Sequence, residues 1–456
     1  MPDPTGAWMT ASHGDAPGAL PLIGHLLRLV RDPLRFVCSL PHCADLVQVR
    51  VGPWKMIAVC DPGLTRQLLV DDRTFDHGGP FMNRSRQLLG NGLATCPHAD
   101  HRQQRRLIRP AFHRTREAGY ARVMSQQAAE LIGSWHDGQM IDVFPALQRF
   151  TARTTLTALF GRTLPPSTLR GMMGDLAMIA SGLFRQMLTP PPLDRLPTPA
   201  NRRYERARTS LRRTVAQLVA DRRTTGIDHD DLLSILMGIK SQNRGGAPAP
   251  SDTDIADQVL TFYFAAVDTP ATVLSWSLHL LAQHPYIRQA LCAEVDTALH
   301  GRVAAYEDLP NLPLTRRIIT ETLRLYPPGW LLTRVTTTDT GLGGIPIPAG
   351  TTVLFSAYLI HRRADLYCDP DRFDPDRWLE NPRTQLPRGA FIPFGSGPRK
   401  CVGEDFSWIE TTLTLASITA HWTLAHLQGS SVRPAPRGML YPENLHMCLT
   451  RRQGVR

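Results

Sequence analysis

Apolar residues recur at helical spacing over most of the middle of the chain, from about residue 98 to residue 300. Two stretches interrupt this pattern. Residues 189–200 contain prolines at positions 190, 191, 192, 197 and 199, and residues 241–252 contain two glycines and two prolines. Both stretches have the composition of surface connections between helices.

One predicted helix is much longer than the others. Ser251-Asp-Thr-Asp254 is typical of a helix start, because acidic side chains are favourable at the positive end of the helix dipole. The apolar pattern then continues from about Asp254 to Gln283 and ends before His284-Pro285. At 1.5 Å per residue, ~30 residues span roughly 45 Å, which is enough to cross the whole molecule.

Strand patterns are short and lie outside the helical region. Residues 47–59 alternate loosely around Gly52-Pro53, as the two strands of a hairpin would. Residues 345–350 followed by 351–355 predict a strand, a turn and a second strand. A loop-rich stretch, 362–388, precedes a glycine-rich turn, and another helix is predicted from Glu404 to about Trp422. The pattern therefore predicts a mainly α protein with small β-sheets.

The composition is that of a globular protein, with 42% hydrophobic and 20% charged residues among 456, although this length alone would suggest about three domains. The formal net charge is +11. Such a charge fits either nucleic-acid binding or a basic face for an acidic protein partner. No basic run with interleaved aromatic residues is present, and the arginines cluster locally at 102–109, 202–213 and 399–400. We therefore predict a protein partner and no nucleic acid.

Eight cysteines occur without any Cys-x-x-Cys pair, so iron–sulfur and zinc-ribbon spacings are not met. Cys38, His42 and Cys43 are close in the sequence, but no second group of ligands that would complete a metal site is present. These side chains are therefore expected to be buried in the packing of the protein and not to bind a metal. No disulfide framework is evident, and a reducing cytoplasm is the simpler interpretation. The first residues contain no apolar run of signal-peptide or membrane length, so we expect no membrane anchor.

The most informative stretch reads Phe-Gly-Ser-Gly-Pro-Arg-Lys-Cys-Val-Gly, from Phe394 to Gly403. Its cysteine, Cys401, follows two cations and precedes a predicted helix. A thiol in that position has a lowered pKa and can bind a metal as the thiolate. The glycines allow a close backbone approach, so N–H groups can hydrogen-bond the sulfur. The alternative is a glycine-rich turn in which the cysteine is incidental.

Five residues of this turn match the order Phe-x-x-Gly-x-Arg-x-Cys-x-Gly, which resembles the haem-ligand loop of the cytochrome P-450 family. The resemblance implies that Cys401 is the metal ligand. It also implies that the turn helps to bind the cofactor through Phe394, Gly395, Arg399 and Gly403.

The long helix carries Asp268-Thr269-Pro270 in an otherwise apolar segment. Burying a carboxylate and a hydroxyl costs free energy unless they have a partner or a use, although a solvent-facing pair is the alternative. Pro270 clashes with the carbonyl group of Ala266, so the helix is expected to kink or open there. The segment resembles the family's oxygen-activation motif, which implies catalytic roles for Asp268 and Thr269. Ala266 and Pro270 depart from the motif, which usually has glycine and a hydroxyl residue there.

Glu321 and Arg324 are i, i+3 neighbours on a helix that two prolines end. Alone, such a pair is usually exposed and contributes under about 1 kcal/mol. Together with Arg377, however, they resemble the family's Glu–Arg–Arg triad, which fixes the cysteine loop. We therefore assign these three residues a structural role.

Haem carries two propionates that need cations. His101 and Arg105 resemble the His-x-x-x-Arg segment that bacterial members use, and Arg334 lies where a second propionate-binding arginine is usual. His361 is a further candidate. Each of these side chains could instead be an ordinary surface charge.

By the same resemblance, the substrate pocket is expected to be largely apolar and therefore suited to an apolar substrate. The same side chains could equally be core packing. The predicted pocket residues are Phe81, Met82, Leu88, Phe184, Phe262, Ala265, Trp330, Leu331, Met439 and Leu440. The segments 192–203 and 331–334 are similar to those of bacterial sesquiterpene oxidases.

The resemblance implies one large triangular domain of mainly α structure at 17–456, after a disordered tail at 1–16. It implies a cytoplasmic haem-thiolate monooxygenase that uses haem b and O2 to hydroxylate a small apolar molecule, with a terpenoid of secondary metabolism as the expected substrate. Electrons would come from a separate ferredoxin and ferredoxin reductase, docking near Arg399, Lys400 and the 102–106 cluster.

Three alternatives remain open at this point. The substrate could be another apolar natural product, such as a polyketide, fatty acid or steroid. The protein could be a haem-thiolate peroxygenase or isomerase, or it could be a non-catalytic haem sensor.

Overall fold

The computed structural model describes residues 11–161, 164–189, 196–238, 250–379, 386–436 and 438–452. Within these ranges the chain is mainly helical. The α-helices are α1 (Leu26–Arg31), α2 (Pro33–Ser39), α3 (Pro62–Val70), α4 (Gly79–Leu89), α5 (His98–Ile108), α6 (Glu117–Gly133), α7 (Val143–Phe160), α8 (Pro166–Leu188), α9 (Pro199–Thr225), α10 (Leu232–Met237), α11 (Asp252–Gln283), α12 (Pro285–Leu299), α13 (Pro313–Leu325), α14 (Ala357–Ile360) and α15 (Glu404–His421). Short 3-10 helices lie at Leu40–His42, Arg109–Phe112, Arg114–Arg116, Tyr306–Asn311, Pro375–Trp378 and Gly397–Arg399.

The strands are short and form small sheets. They are β1 (His13–Asp15), β2 (Leu46–Val51), β3 (Trp54–Val59), β4 (Phe75–Asp76), β5 (Met140–Asp142), β6 (Leu332–Thr336), β7 (Thr340–Leu342), β8 (Ile345–Ile347), β9 (Thr352–Phe355), β10 (Trp422–His426), β11 (Arg433–Pro436), β12 (Leu440–Glu443) and β13 (His446–Arg451). Six strands form one sheet in the order β1-β2-β3-β9-β6-β4, and a three-stranded sheet has the order β10-β13-β5. Two two-stranded sheets pair β11 with β12 and β7 with β8. The mainly α prediction with small sheets is confirmed.

The predicted hairpin is present. Strands β2 and β3 pair in antiparallel register with Val51 opposite Trp54, so Gly52-Pro53 forms the turn. The two strands predicted around residue 350 also exist, but they do not pair with each other. Strand β8 pairs with β7, whereas β9 joins the large sheet between β3 and β6. The local pattern identified these strands, and only tertiary packing selected their partners.

The N-terminal boundary differs from the prediction. Residues 11–16 were expected to belong to a disordered tail, but His13–Asp15 forms β1 and pairs in parallel with β2. That part of the prediction was wrong, because a strand of three residues is held by the edge of its neighbour and not by an apolar pattern of its own. Of the predicted loops at 189–200 and 241–252, residues 190–195 and 241–249 lie outside the described residues.

Helix α11 is the central element of the fold. It begins two residues earlier than predicted, where Ser251 and Asp254 form a reciprocal capping box. It packs against α7, α9, α13 and α15, and most of its residues are buried. The helix continues through Pro270 to Gln283 without interruption, so of the two expected outcomes, a kink or an opening, the opening does not occur. In the described part of the chain, no helix combines the length and apolar content needed to span a bilayer.

Candidate active site

A cavity of about 430 Å³ lies between the middle of α11, helices α4 and α5, strand β6 and the loop that carries Cys401. Most of its wall is apolar. Ionisable side chains also reach it from distant parts of the sequence, namely His77, His101, Arg105, Asp268, Arg334, Arg399, Lys400 and Cys401. The fold therefore brings most of the predicted site residues to one cavity.

The cysteine loop is a tight turn fixed by its backbone. Gly395 and Gly397 have φ angles of +72° and +70°, a region that side chains rarely adopt. A Cβ atom on Gly397 would also lie 2.2 Å from the carbonyl oxygen of Leu69. The Cys401 N–H donates to the Phe394 carbonyl oxygen over 2.9 Å, and the Phe394 ring packs on Trp408. These contacts fix where the sulfur meets the cavity.

Cys401 lines the cavity and is accessible there, while the neighbouring protein desolvates its thiol. Burial raises its pKa above the ordinary value, although the Gly403 N–H, Arg105 and Lys400 act in the opposite direction. The prediction of a lowered pKa was therefore wrong for the free thiol, because desolvation outweighs the nearby donors and cations. Coordination to a metal ion would supply the missing positive charge, since a coordinating thiol is deprotonated.

Arg399 is held inside the protein. Its guanidinium donates to Asp76 over 2.8 Å, to Asp72 over 3.2 Å and to the Cys96 carbonyl oxygen over 2.9 Å, and the side chain is 1% exposed. The expectation that Arg399 lies on a docking face is therefore wrong. It ties the cysteine loop to the segment around β4. Lys400, by contrast, is partly exposed and pairs with Glu404.

Arg334 is a buried cation that reaches the cavity. Its guanidinium donates to the Thr333 carbonyl oxygen over 3.0 Å and lies over the Phe355 ring, and no carboxylate of the described residues forms an ion pair with it. Burial lowers its pKa to about 10, with Arg399 as a second cause. A buried cation with no ion-pair partner among the described residues, in a largely apolar wall, is suited to an anionic ligand.

His101 and Arg105 lie on α5 at the same cavity. His101 is buried, and burial together with Arg399 and Arg105 lowers its pKa to about 4, so it is neutral near pH 7. Arg105 donates to the Lys400 carbonyl oxygen over 2.7 Å. His361 does not line the cavity. Its ring lies between the Arg324 carbonyl oxygen and the Ile392 N–H, so the expectation that it binds a propionate is wrong.

The donor set fits haem. A single thiol meets the cavity on one side, and Arg334, Arg105 and His101 supply positive charge or N–H donors at its edge. The remaining wall is apolar, as a porphyrin requires. A buried cation such as Arg334 in the same cavity as a thiol matches an iron complex with carboxylate side groups better than it matches a bare metal ion. Among the described residues, no cluster of three or more metal-ligating side chains is found.

The pair Asp268–Thr269 lies in the wall of the same cavity, on α11. The Asp268 carboxylate is buried and accepts a hydrogen bond of 2.7 Å from the Gln148 amide. Burial raises the pKa of Asp268 to about 6, and the Gln148 bond partly opposes this shift. Thr269 is partly buried, and its hydroxyl lies 3.6 Å from the Met439 sulfur. A carboxyl group that titrates near neutral pH is suited to holding and releasing a proton.

Glu321 and Arg324 form a bidentate ion pair with no exposed surface, at 2.7 and 2.8 Å. Arg324 also donates to the carbonyl oxygens of His361, Pro370 and Arg372. The predicted third member, Arg377, approaches the Glu321 carboxylate only at 3.5 Å, whereas the Trp378 indole N–H donates to it over 2.8 Å. Sequence analysis missed Trp378, because an indole is not part of a charge pattern.

Only some of the predicted pocket residues line the cavity, namely Met82, Phe262, Ala265 and Met439. The predictions for four others were wrong, because their side chains pack in the core: Leu88, Trp330, Leu331 and Leu440. The side chains of Phe81 and Phe184 lie outside the described residues.

The errors have a geometric cause. Leu332 and Arg334 of β6 face the cavity, and because neighbouring strand residues alternate, Leu331 faces the opposite way. Ser85 and Leu89 of α4 line the cavity at helical spacing from Met82, and Leu88 lies off that face. Wall residues that the sequence analysis did not identify include His77, Leu93, Ala94, Thr95, Ala180, Phe355 and Ala357.

Fold and site together define a haem-thiolate protein of mainly α structure. The family model described as Cytochrome P450 matches residues 15–449. Pentalenene oxygenase of Streptomyces avermitilis is 42% identical over 440 residues, which cover 96% of this chain and 97% of the relative. Cyclooctat-9-en-7-ol 5-monooxygenase of Streptomyces melanosporofaciens is 41% identical over 430 residues, which cover 94% of this chain and 92% of the relative.

The crystal structure of the cytochrome P-450DA haem domain has a TM-score of 0.87 and 26% identity, covering 97% of this chain and 99% of that chain. The chain belongs to the cytochrome P-450 family and is an oxidoreductase of the monooxygenase class.

Proposed function

We propose that this monooxygenase hydroxylates a C–H bond of a terpenoid. The observation that carries the proposal is the largely apolar wall of the cavity that Cys401 lines, which includes Met82, Phe262, Ala265 and Met439. Such a wall binds hydrocarbon skeletons and offers few polar groups to orient a polar substrate. The names of the two relatives, pentalenene oxygenase and cyclooctat-9-en-7-ol 5-monooxygenase, support a terpenoid within this apolar class.

The cofactor is proposed to be haem b, with Cys401 as its iron ligand. When bound, haem supplies the iron at which O2 is activated. Phe394, Gly395 and Gly403 shape the loop that presents the sulfur, while Arg399 anchors it. Arg334 is the principal candidate for binding a propionate, and Arg105 and His101 are further candidates in the wall of the same cavity.

Asp268 and Thr269 are proposed to organise protons during oxygen activation. The Asp268 carboxyl is poised to gain and lose a proton near pH 6, and the Thr269 hydroxyl can both donate and accept at the cavity wall.

The Thr269→Ala variant should still consume NADPH but form several-fold less product per electron pair, with the difference released as hydrogen peroxide. Product formation is expected to fall because the variant lacks the Thr269 hydroxyl that is proposed to direct protons during oxygen activation. Product, NADPH and peroxide measured together test this, with Thr261→Ala as a control because Thr261 is on the same helix and lines the same cavity. Unchanged coupling in Thr269→Ala would contradict the role of Thr269.

Electrons are proposed to arrive from a separate ferredoxin and its reductase. A solvent-open concavity on the cysteine side is lined by Arg102, Arg105, Arg106, Arg109 and Arg114, and it reaches Cys401. An acidic electron carrier docked there would lie close to the sulfur, with complementary charge.

All eight cysteines are free, which supports the cytoplasm as the compartment.

The substrate proposal is tested by titrating the haem-loaded protein with pentalenene and cyclooctat-9-en-7-ol. Either compound, or both, should shift the Soret band as it enters the cavity. Each is then incubated with a surrogate ferredoxin, its reductase and NADPH, and a product heavier by one oxygen atom is expected. Matched assays with a fatty acid and a steroid discriminate the classes. Turnover of those two with neither terpenoid bound would contradict the terpenoid proposal.

A further inference from the structure

Helix α7 presents three polar side chains to consecutive residues of α11. Gln148, Thr151 and Thr155 are spaced i, i+3 and i+7, so they share one face of α7. The Gln148 amide donates to the Asp268 carboxylate over 2.7 Å. The Thr151 hydroxyl donates to the Val267 carbonyl oxygen over 2.7 Å, and the Thr155 hydroxyl to that of Ala266 over 3.3 Å.

These contacts surround the position at which α11 lacks a donor. Pro270 has no N–H, so the carbonyl oxygen of Ala266, four residues earlier, loses its usual helical partner. A buried acceptor without a partner costs about 1–3 kcal/mol. The Thr155 hydroxyl takes the place of the missing N–H, and the helix continues unbroken through Pro270.

The orientation of these hydroxyls is not the default for threonine in a helix. Buried helical threonines commonly bond to the carbonyl oxygen four residues earlier in their own helix. Thr154 does so, with the Phe150 carbonyl oxygen at 3.1 Å. Thr155 is equally buried, but its hydroxyl bonds across to α11, and the shortest contact of the Thr151 hydroxyl is also to α11.

The same face of α7 also holds the Asp268 side chain, through Gln148. Gln148 donates a hydrogen bond to that carboxyl group, and the charge of Asp268 adds to burial in raising the pKa of the Tyr263 phenol on α11. Asp175 on α8 acts on Tyr263 in turn. The Thr272 hydroxyl donates to the Asp268 carbonyl oxygen over 2.7 Å. Asp268 is thus anchored toward α7, while its neighbour Thr269 stays at the cavity wall.

We propose that Gln148, Thr151 and Thr155 are positioning residues that keep α11 helical across Pro270 and hold Asp268 and Thr269 in place at the cavity. The structural part of this inference stands on the hydrogen bonds alone. Its effect on oxygen activation rests on the proton-handling role proposed above for Asp268 and Thr269.

The first test is a set of variants in haem-loaded protein, compared by thermal melting. Thr155→Val keeps the side-chain shape and removes the hydroxyl. It should lower the melting temperature by about 2–4 °C, because the Ala266 carbonyl oxygen loses its partner. In a Pro270→Ala background the restored N–H should make Thr155→Val nearly neutral. Thr151→Val should lower the melting temperature in both backgrounds. Its acceptor, the Val267 carbonyl oxygen, is not the one that loses its helical N–H partner at Pro270.

The matched control is Thr154→Val, on the same helix and equally buried. Its effect on the melting temperature should be the same with proline or alanine at position 270. If Thr155→Val is as costly in the Pro270→Ala background as in the native chain, the hydroxyl does not replace the missing donor and the inference is overturned. Thr155→Ser retains a hydroxyl and should preserve most of the original melting temperature.

The second test addresses positioning of the carboxyl group. Infrared difference spectra across pH, with Asp268→Asn as the reference, should show the protonated carboxyl band of Asp268 disappearing with a midpoint near pH 6. Gln148→Met removes the donated bond at similar length and should move this midpoint to higher pH. Thr154→Val should leave it unchanged. An unmoved midpoint in Gln148→Met would contradict the role of Gln148.

Coupling of NADPH use to product completes the design and separates the two proposals. Thr155→Val and Gln148→Met could produce the melting and infrared effects but leave coupling intact. In that case the hydrogen bonds from α7 stabilise α11 without governing oxygen activation, and the proposed effect of these residues on oxygen activation is overturned. Loss of coupling in Thr269→Ala, measured in parallel, shows whether the proton role itself holds.

Discussion

Replacing Cys401 by serine should abolish the red-shifted Soret band of the dithionite-reduced, carbon-monoxide-bound protein and leave no detectable oxygenated product. Serine preserves the size of the side chain, but its hydroxyl is a far weaker acid than a thiol, so no thiolate remains to donate electron density to the iron. The loop should keep its shape, because its backbone bond from Cys401 N–H to Phe394 and the packing of Phe394 on Trp408 do not involve the sulfur. Haem content, measured separately, should show that the cavity still accepts the cofactor.

Cys292→Ser is the matched control, since Cys292 lies on α12 and is only partly buried. It should retain the red-shifted band and full activity. A red-shifted band that persists in Cys401→Ser would place the thiolate ligand at another cysteine and contradict the assignment of the loop. Loss of the band in both variants would indicate a general effect of cysteine replacement on folding.

Replacing Glu321 by glutamine should destabilise the protein by about 3–5 kcal/mol, a large part of the ~5–15 kcal/mol that typically separates folded from unfolded protein. The carboxylate accepts from Arg324 twice, from the Trp378 indole and from the Asp374 N–H, all without exposed surface on Glu321. Glutamine leaves the buried Arg324 guanidinium without a counter-charge and turns an amide N–H toward other donors. Urea unfolding, followed by tryptophan fluorescence and by the Soret band, measures the change.

The control uses an exposed ion pair that begins on the same helix, α13. Asp376→Asn removes the partner of Arg317, whose bond is 3.2 Å long and largely exposed on the aspartate side, and should cost under about 1 kcal/mol. Arg377→Gln should fall between the two, because its bond to Glu321 is 3.5 Å long. Equal losses for Glu321→Gln and Asp376→Asn would contradict a special role for the buried pair.

Features that depend on neighbouring residues in the chain were predictable. The hairpin at Gly52-Pro53, the limits of α11 and the start of α15 after Gly403 follow from turn chemistry and periodicity, which act over a few residues. The Glu321–Arg324 pair was also recognisable, because residues three apart on a helix face each other.

Features that depend on which face an element turns inward were not predictable from one sequence. Leu331 and Leu332 have the same side chain, and so do Leu88 and Leu89, yet in each pair only the second lines the cavity. A strand reverses its side with each residue and a helix turns by about 100°, so assignment of the correct segment still leaves the facing residue undetermined.

The sequence alone predicted the class of the protein and Cys401 as the proposed metal ligand, because the residues that carry the motif lie within one turn of the chain. The tertiary structure decided the rest of the site. It buried Arg399 between Asp72 and Asp76, gave Glu321 the indole of Trp378, and set Thr151 and Thr155 against the break at Pro270. Each of these partners is far away in sequence, and the free energy of burying a charge or an unpaired carbonyl group takes effect only when the fold brings them together.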